Sequence, residues 1–352
     1  MTEKVVSLQW LRALAAWMVV FHHYIQVYRD FEPENKIEAF FTYHGSLGVD
    51  IFFVLSGLVM AMSISRGHVS AARFCRDRAT RIIPAYWLAT VVFLAVLPFA
   101  NWDAVSFLHG STLRDVLFSM LFIPHEHASG IGYIPVLTVG WTLNFEMFFY
   151  AILAVALLIN KKWSLVIAVA VVLALPIGGR FGLPVGPIAS NIVLFNFAFG
   201  VLIYLVGIKL FRMQEWPRTR RYTIAAICAS VALASLELRF PWYKEAFSVA
   251  MVVGFFLTED VFLKLSSGVG KIGPHLGDLS YSTYLFHVPV LLLVGALMDF
   301  SRGNDFWLVI AVCTITYITS LLSYYIVEMR FRRWLTTTIG NVHFKSGFRS
   351  LK

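Results

Sequence analysis

The sequence predicts an all-α, polytopic integral membrane protein with about ten transmembrane helices and both termini in the cytoplasm. Composition is the first observation, since 59% of the 352 residues are hydrophobic and 14% are charged, whereas soluble domains contain about 25% charged residues. Length is the second, because each crossing takes about 20 mainly apolar residues, which leaves room for about ten crossings. The third is an alternation of loops rich and poor in Lys and Arg along the chain.

The predicted spans place most basic residues on one side of the membrane. With a cytoplasmic N-terminus, 21 of the 29 Lys and Arg residues fall in cytoplasmic segments and seven fall outside, as the positive-inside rule requires. Topology thus accounts for most of the basic excess behind the net charge of +9, and no nucleic-acid partner is predicted. Residues 1–335 are predicted to form a single membrane-embedded domain and residues 336–352 a short basic cytoplasmic tail. The spans are predicted at residues 8–28, 47–63, 84–100, 142–160, 163–178, 190–208, 222–236, 245–258, 280–298 and 306–327.

The first span carries three ionisable side chains, Arg12, His22 and His23, inside an otherwise apolar segment. Such residues are costly in a bilayer and by default indicate function. Arg12 and His23 are eleven positions apart, which on a helix is about three turns and about 16 Å. They therefore share one face, near opposite sides of the membrane, whereas His22 points about 80° away. The pattern predicts a site that is reached from both sides.

Two carboxylates are predicted at the depth of His23. Asp50 opens the second span and is a candidate to orient the His23 imidazole, with capping of the helix start as the alternative. Glu146 lies about one turn inside the fourth span and is a candidate to hold or pass a proton. A structural carboxylate bonded to a neighbouring helix is the alternative there. His287, near the middle of span nine, is either a packing hydrogen-bonder or a catalytic group.

A pair of arginines marks the cytoplasmic start of the third span. Arg78 and Arg81 are three positions apart on one helical face, and Pro84 suits the first turn of the span. Arginine pairs bind phosphate bidentately, which favours a phosphate-rich ligand such as a nucleotide-based acyl carrier. Charges that fix topology and contact anionic lipid are the alternative.

The long outer connection, residues 101–141, adds no recognised catalytic motif. Its apolar piece at 116–123 is too short to cross a membrane and is predicted to be interfacial or re-entrant. The trio His125, Glu126 and His127 offers metal ligands at positions i and i+2 without a third partner, so no metal site is predicted. The chemistry is therefore expected to come from polar residues on separate membrane helices.

Five segments together resemble the bacterial membrane acyltransferase family of type 3, which includes O-acetyltransferases of surface polysaccharides. The resemblance follows the chain in order over nearly its whole length. Each motif alone is weak, and their combination is specific. The matching stretches are LRALA at 11–15 with His23, GVDIFFVLSG at 48–57, RATRIIP at 78–84, GWTLNFE at 140–146 and SYSTYLFHVP at 280–289.

The resemblance implies transfer of an acyl group, usually acetyl, from cytoplasmic acetyl-CoA to a sugar hydroxyl outside a bacterial cytoplasmic (inner) membrane. The acceptor would be a polysaccharide or a lipid-linked sugar. Arg12 and His23 match the family's essential first-helix pair, and Arg78 and Arg81 match its arginine motif. Asp77 stands where many relatives have a further arginine. Asp50 and Glu146 join His23 as candidate catalytic residues, and Trp141, Tyr281 and His287 are added as supporting residues.

Two other functions are compatible with charges inside membrane helices. A transporter or flippase also carries inward-facing charges, although the sequence shows no internal repeat. A structural subunit of an export complex would leave the polar residues at the depth of His23 without a purpose. Within the acyltransferase hypothesis, His23 acts either as general base on the sugar hydroxyl or as carrier of the acyl group.

Overall fold

The computed structural model describes residues 5–67, 69–100, 102–238, 240–268, 271–298, 305–335 and 337, and all regular structure in these residues is helical. Four short 3₁₀ turns connect longer helices, at Leu97–Phe99, Asp103–Leu108, Thr138–Gly140 and Met213–Glu215. The longer helices are α1 (Val6–Arg29), α2 (Lys36–His44), α3 (Leu47–Ser65), α4 (Ala71–Val96), α5 (Leu113–Met120), α6 (Trp141–Ile159), α7 (Ser164–Arg180), α8 (Leu194–Leu202, continuing as a π-helix over Ile203–Leu210), α9 (Arg218–Leu238), α10 (Tyr243–Leu257), α11 (Glu259–Gly268), α12 (Ile272–Leu297) and α13 (Asp305–Ser323, continuing as a π-helix over Tyr324–Phe331).

The helices confirm an all-α membrane fold in the described residues. Six helices are long and apolar enough to cross a membrane, or seven if α10 and α11, bent by 64°, form one span. Each of the ten predicted spans overlaps a helix, but α7 and α8 are shorter than a full crossing, and α1 is not among the six. Ten crossings and the cytoplasmic termini therefore stay predictions. The predicted tail, 336–352, lies outside the described residues apart from Thr337.

Helices α1 and α12 make the most extensive helix–helix contact in the described chain. Two glycines let them approach closely, because a Cβ on Gly277 would overlap the backbone of Gln9 and one on Gly273 would overlap the ring of Trp10. Small residues at such crossings are a common packing device in membranes. The crossing brings the polar side chains of α1 against those of α12.

A second close crossing joins α3 to α8. A Cβ on Gly57 would overlap the Phe197 carbonyl, and one on Gly200 would overlap the Val54 carbonyl. Backbone thus meets backbone at this point, and larger side chains would force the helices apart. The crossing fixes the face that α3 turns towards the interior.

Helix α4 begins earlier than predicted, so the expectation that Pro84 stands in its first turn is wrong. The helix starts at Ala71, after Ser70, whose Oγ accepts a hydrogen bond from the Arg73 amide, and Pro84 lies inside it. The extra turns before the apolar run are amphipathic and capped, which an apolar-run criterion does not detect. Arg78 and Arg81 are consequently held on a continuous helix.

The connection between α4 and α6 contains a short helix, α5, which overlaps the apolar piece predicted at 116–123. Helix α5 begins with a capping box, in which Thr112 Oγ1 accepts from the Asp115 amide and Asp115 accepts from the Thr112 amide. Its Leu113 and Leu117 are 74% and 51% exposed, as for a helix lying on a membrane interface. Trp87 of α4 donates to the Met120 carbonyl and ties the end of α5 to the bundle.

Candidate active site

One cavity collects most of the predicted arginines. This arginine cavity, about 110 Å³ in volume, lies between α1, α3, α4, α6 and α12. Its other walls are apolar residues of α3, which include Phe52 and Val59. The structure thus brings together residues that lie more than 250 positions apart in sequence. The polar side chains that line the cavity are Arg12, Ser56, Arg78, Arg81, Thr142, Glu146, Tyr150, Ser280, Tyr281 and Tyr284.

The arginines of this cavity are only partly engaged by the protein itself. Arg12 Nε donates to Ser280 Oγ at 3.2 Å. Arg78 Nε is buried without a hydrogen-bond partner among the described residues. Because buried donors are normally paired, this arrangement suits an anionic ligand that supplies the missing acceptor.

Glu146 faces the arginine cavity and not the His23 imidazole. Its Oε1 accepts hydrogen bonds from Ser56 Oγ at 3.1 Å and from the Tyr150 hydroxyl. Glu146 therefore bonds to a neighbouring helix, α3, and also lines the cavity that holds the arginines. Its predicted position beside His23 is wrong, whereas its chemical role stays a prediction.

A second cavity contains His23. This histidine cavity, about 170 Å³ in volume, is walled by the C-terminal end of α1, the 3₁₀ turn Asp103–Leu108 and residues 131–141. The lining is mainly apolar. Trp141, one of the predicted supporting residues, belongs to this cavity. The lining residues are His23, Gln26, Val27, Val105, Phe107, Leu108, Ile131, Ile134, Thr138, Val139, Trp141 and Val288.

His23 is oriented by His287 of α12. His23 Nδ1 lies 3.0 Å from the Val19 carbonyl oxygen and 3.2 Å from His287 Nε2, and His287 Nδ1 lies 3.2 Å from the Thr283 carbonyl oxygen. Carbonyls only accept, so each Nδ1 carries a hydrogen, and His287 Nε2 accepts from His23 Nδ1–H. These contacts assign the lone pair of His23 to Nε2. An imidazole in this tautomer has the free nitrogen that a base or a nucleophile needs.

Asp50 and His22 make contacts elsewhere. Asp50 Oδ1 accepts from Asn196 Nδ2 of α8 at 2.9 Å and joins α3 to α8. His22 Nδ1 donates to the Phe41 carbonyl of α2 at 3.0 Å, on a different face from His23, as the helical spacing predicts. The expectation that Asp50 orients His23 is wrong in geometry, since His287 takes that position.

Tyr284 separates the two cavities. Its hydroxyl donates to the Val139 carbonyl at 2.9 Å and lies 2.9 Å from Thr142 Oγ1. Thr142 lines the arginine cavity and Val139 the histidine cavity, while the Tyr284 ring is 5.9 Å from the His287 ring. Tyr284 is not among the predicted site residues, although Ser280, Tyr284 and His287 recur at the i, i+4 and i+7 spacing of one helix face.

The described helices form a multi-pass membrane protein in which side chains from separate helices line two cavities. A profile of the acyltransferase domain family (Acyl_transf_3) matches residues 5–325, and the chain belongs to this family. The protein is therefore an O-acyltransferase, and the predicted family resemblance is confirmed.

Three curated proteins illustrate the range of its relatives. The chain is 33% identical over 271 residues to the exopolysaccharide production protein ExoZ of Rhizobium meliloti, which covers 75% of this chain and 82% of that protein. It is 25% identical to nodulation protein 10 of Rhizobium leguminosarum bv. viciae, over 94% of both chains. It is 21% identical to the peptidoglycan O-acetyltransferase OatA of Listeria monocytogenes, over 98% of this chain and 58% of OatA. No solved structure matches the chain.

Proposed function

We propose that the protein transfers an acetyl group from cytoplasmic acetyl-CoA to a sugar hydroxyl on the outer side of a bacterial inner membrane, through a bundle of ten spans with cytoplasmic termini. One observation carries the proposal. The single helix pair α1–α12 contains Arg12–Ser280 at the arginine cavity and the His23–His287 pair, of which His23 lines the histidine cavity. Groups suited to a donor and groups suited to an acceptor are therefore held by the same two helices.

The donor side follows from charge. Arg78, Arg81 and Arg12 would hold the phosphates of CoA, because guanidinium groups match phosphate oxygens bidentately. The apolar wall that includes Phe52 and Val59 suits the pantetheine arm. The thioester would then lie near Tyr284, where the arginine cavity meets the histidine cavity.

The transfer step uses the lone pair on His23 Nε2. In one route, Nε2 removes the proton of the sugar hydroxyl while that oxygen attacks the thioester carbonyl, the C–S bond breaks, and the departing CoA thiolate takes the proton. In the other, Nε2 itself attacks the carbonyl, the C–S bond breaks and CoA leaves as the thiolate. The sugar hydroxyl then attacks the acyl group, the bond from the carbonyl carbon to Nε2 breaks, and the hydroxyl proton goes to the CoA thiolate. An acyl-histidine trapped by denaturing quench under single-turnover conditions supports the second route, and its absence supports the first.

The relatives support a glycan acceptor. One is named for exopolysaccharide production and another for O-acetylation of peptidoglycan. Membership of an acyltransferase family disfavours the transporter alternative. We therefore propose a polysaccharide or a lipid-linked sugar as the acceptor.

The test is the O-acetyl content of surface polysaccharide in a deletion strain complemented with wild type, His23→Ala or His22→Ala at matched membrane levels. We expect His23→Ala to abolish acetylation because it removes the reacting lone pair. His22→Ala is the matched control, since it removes the neighbouring imidazole, whose Nδ1 bonds to the Phe41 carbonyl of α2. Full acetylation with His23→Ala would refute the mechanism, and loss with His22→Ala alone would place the chemistry on the α2 face.

A further inference from the structure

A third cavity adjoins the arginine cavity. This Glu328 cavity, about 420 Å³ in volume, shares Arg12, Leu55, Val59 and Arg81 with it. Ligand phosphates held by Arg81 would therefore face both spaces. The charged residues that line the Glu328 cavity are Arg12, Arg66, Arg81, Asp278, Glu328 and Arg332.

The π-helical end of α13 supplies one wall of this cavity. Tyr324, Glu328 and Arg332 line it at spacings of four residues, whereas Arg330 and Arg333 of the same segment are exposed and do not. π-Helical turns are rare and occur frequently at functional sites. Arg332, which directly follows the π-helical segment, is the one of these three neighbouring arginines that lines the cavity.

Glu328 stands among cations that come from three helices. Its Oε1 lies 2.6 Å from Ser282 Oγ, and its charge interacts with those of Arg12, Arg81 and Arg332. Arg332 lines the same cavity as Arg81, and its positive charge is repelled by those of Arg78 and Arg81. The side chain of Arg332 is thus within electrostatic reach of the predicted phosphate-binding pair.

We propose that Arg332 is a further phosphate-binding residue for the donor and that Glu328 is the internal counter-ion of this arginine group. The proposal rests on acetyl-CoA being the donor. CoA bears a diphosphate and a 3′-phosphate, which present more negative charge than the Arg78–Arg81 pair neutralises. The Glu328 cavity has four arginines against two carboxylates, so its net charge favours a polyanion. Arg332 lines this cavity together with Arg81 of α4.

The experiment measures KM and kcat of purified protein in vesicles with donors that lack successive phosphates. We compare Arg332→Gln with Arg330→Gln, which removes the same charge two residues away on an exposed position. The donors are acetyl-CoA, acetyl-3′-dephospho-CoA and S-acetylpantetheine. With acetyl-CoA, Arg332→Gln should raise KM about 10- to 100-fold, the range expected for a lost hydrogen bond between charged groups, with kcat nearly unchanged. With S-acetylpantetheine, which has no phosphate, the two variants should be equal.

Each outcome has one meaning. A defect of Arg332→Gln that persists with S-acetylpantetheine would show a structural role and overturn the inference, as would an unchanged KM for acetyl-CoA. A wild-type protein that does not turn over acetyl-CoA would refute the proposed function itself.

The counter-ion is tested by Glu328→Gln, which should lower KM for acetyl-CoA about threefold or more, since the carboxylate no longer competes with phosphate. A KM for acetyl-CoA that rises in Glu328→Gln would by itself overturn the counter-ion role of Glu328.

Discussion

The arginine cavity and the histidine cavity differ in the chemistry of the side chains that line them. The former has walls made entirely of membrane helices and groups guanidinium side chains with one carboxylate, Glu146. The latter has one imidazole in a mainly apolar lining, and part of its wall comes from the connection between α4 and α6. Charge suits recognition of a polyanionic donor, whereas an apolar wall keeps water from competing with an acceptor hydroxyl. The variants below test whether the two cavities have these separate tasks.

The largest expected effect is a fall in kcat when His23 of the histidine cavity loses its contact with His287. His287→Ala removes one of the two acceptors of His23 Nδ1–H, so the imidazole keeps its contact with the Val19 carbonyl and loses the contact with α12 that orients it. We expect kcat to fall about 100-fold, the lower end of the range of general acid–base catalysis. KM for acetyl-CoA should stay unchanged, because the donor is held in the other cavity. Steady-state kinetics of purified protein in vesicles measures both.

A conservative variant separates orientation from packing. His287→Gln offers a side-chain carbonyl that accepts from His23 Nδ1–H, and it should recover part of the lost kcat. If His287→Ala raised KM for acetyl-CoA as much as it lowered kcat, the two cavities would form one binding unit and the comparison would fail.

The geometry along one helix could be predicted from sequence, and the geometry between helices could not. Periodicity alone places Arg12 and His23 on one face and His22 on another, and the structure agrees. Which other helix packs against that face depends on the lateral packing of the helices, and the sequence carries no direct signal for it. The similar predicted depth of Asp50 and His23 favours Asp50 as the partner of His23. In the structure, His287 of α12 contacts His23, and Asp50 contacts Asn196.

The fold shows the same division between local and long-range information. Apolar runs located the helical segments, because burial in lipid demands them. The capped start of α4 at Ala71 and the π-helical end of α13 lie at or beyond the edges of apolar runs. Glu328 directly follows the last predicted span, 306–327, so the apolar run gives no signal for it, although it contributes to the wall of a cavity.

An intermediate effect, a loss of stability, is expected when the crossing of α1 and α12 is overpacked. In Gly277→Ala the new Cβ would meet the Gln9 backbone and push the helices apart near Arg12–Ser280. Overpacking of this kind costs about 1–3 kcal/mol, which lowers the thermal midpoint of the protein in detergent. Gly254→Ala is the control, because its Cβ would find the nearest atom at 3.5 Å. Equal midpoints for both variants would contradict the close crossing.

The smallest effect is expected where α5 anchors the connection between α4 and α6. Thr112→Ala breaks the capping box, and loss of an N-cap typically costs about 1 kcal/mol. The change reaches the histidine cavity because Ser119 Oγ of α5 accepts from the Val136 amide, next to the cavity wall. Amide hydrogen exchange should become faster in α5 and remain unchanged in α12. KM for acetyl-CoA should not change, which distinguishes this wall from the arginine cavity.

The same capping box gives a pH dependence with a defined sign. Hydrogen bonds from Thr112 lower the pKa of Asp115 below its ordinary value of 3.8. A carboxyl group whose pKa is lower in the folded state stabilises that state fully above pH 3.8. The stabilisation is lost as pH falls through the lowered value. Protection of the α5 amides should therefore decrease in acid for the wild type, and Asp115→Asn should remove this dependence. If protection in α5 were equally pH-dependent in Asp115→Asn, another group would hold the wall of the histidine cavity in place.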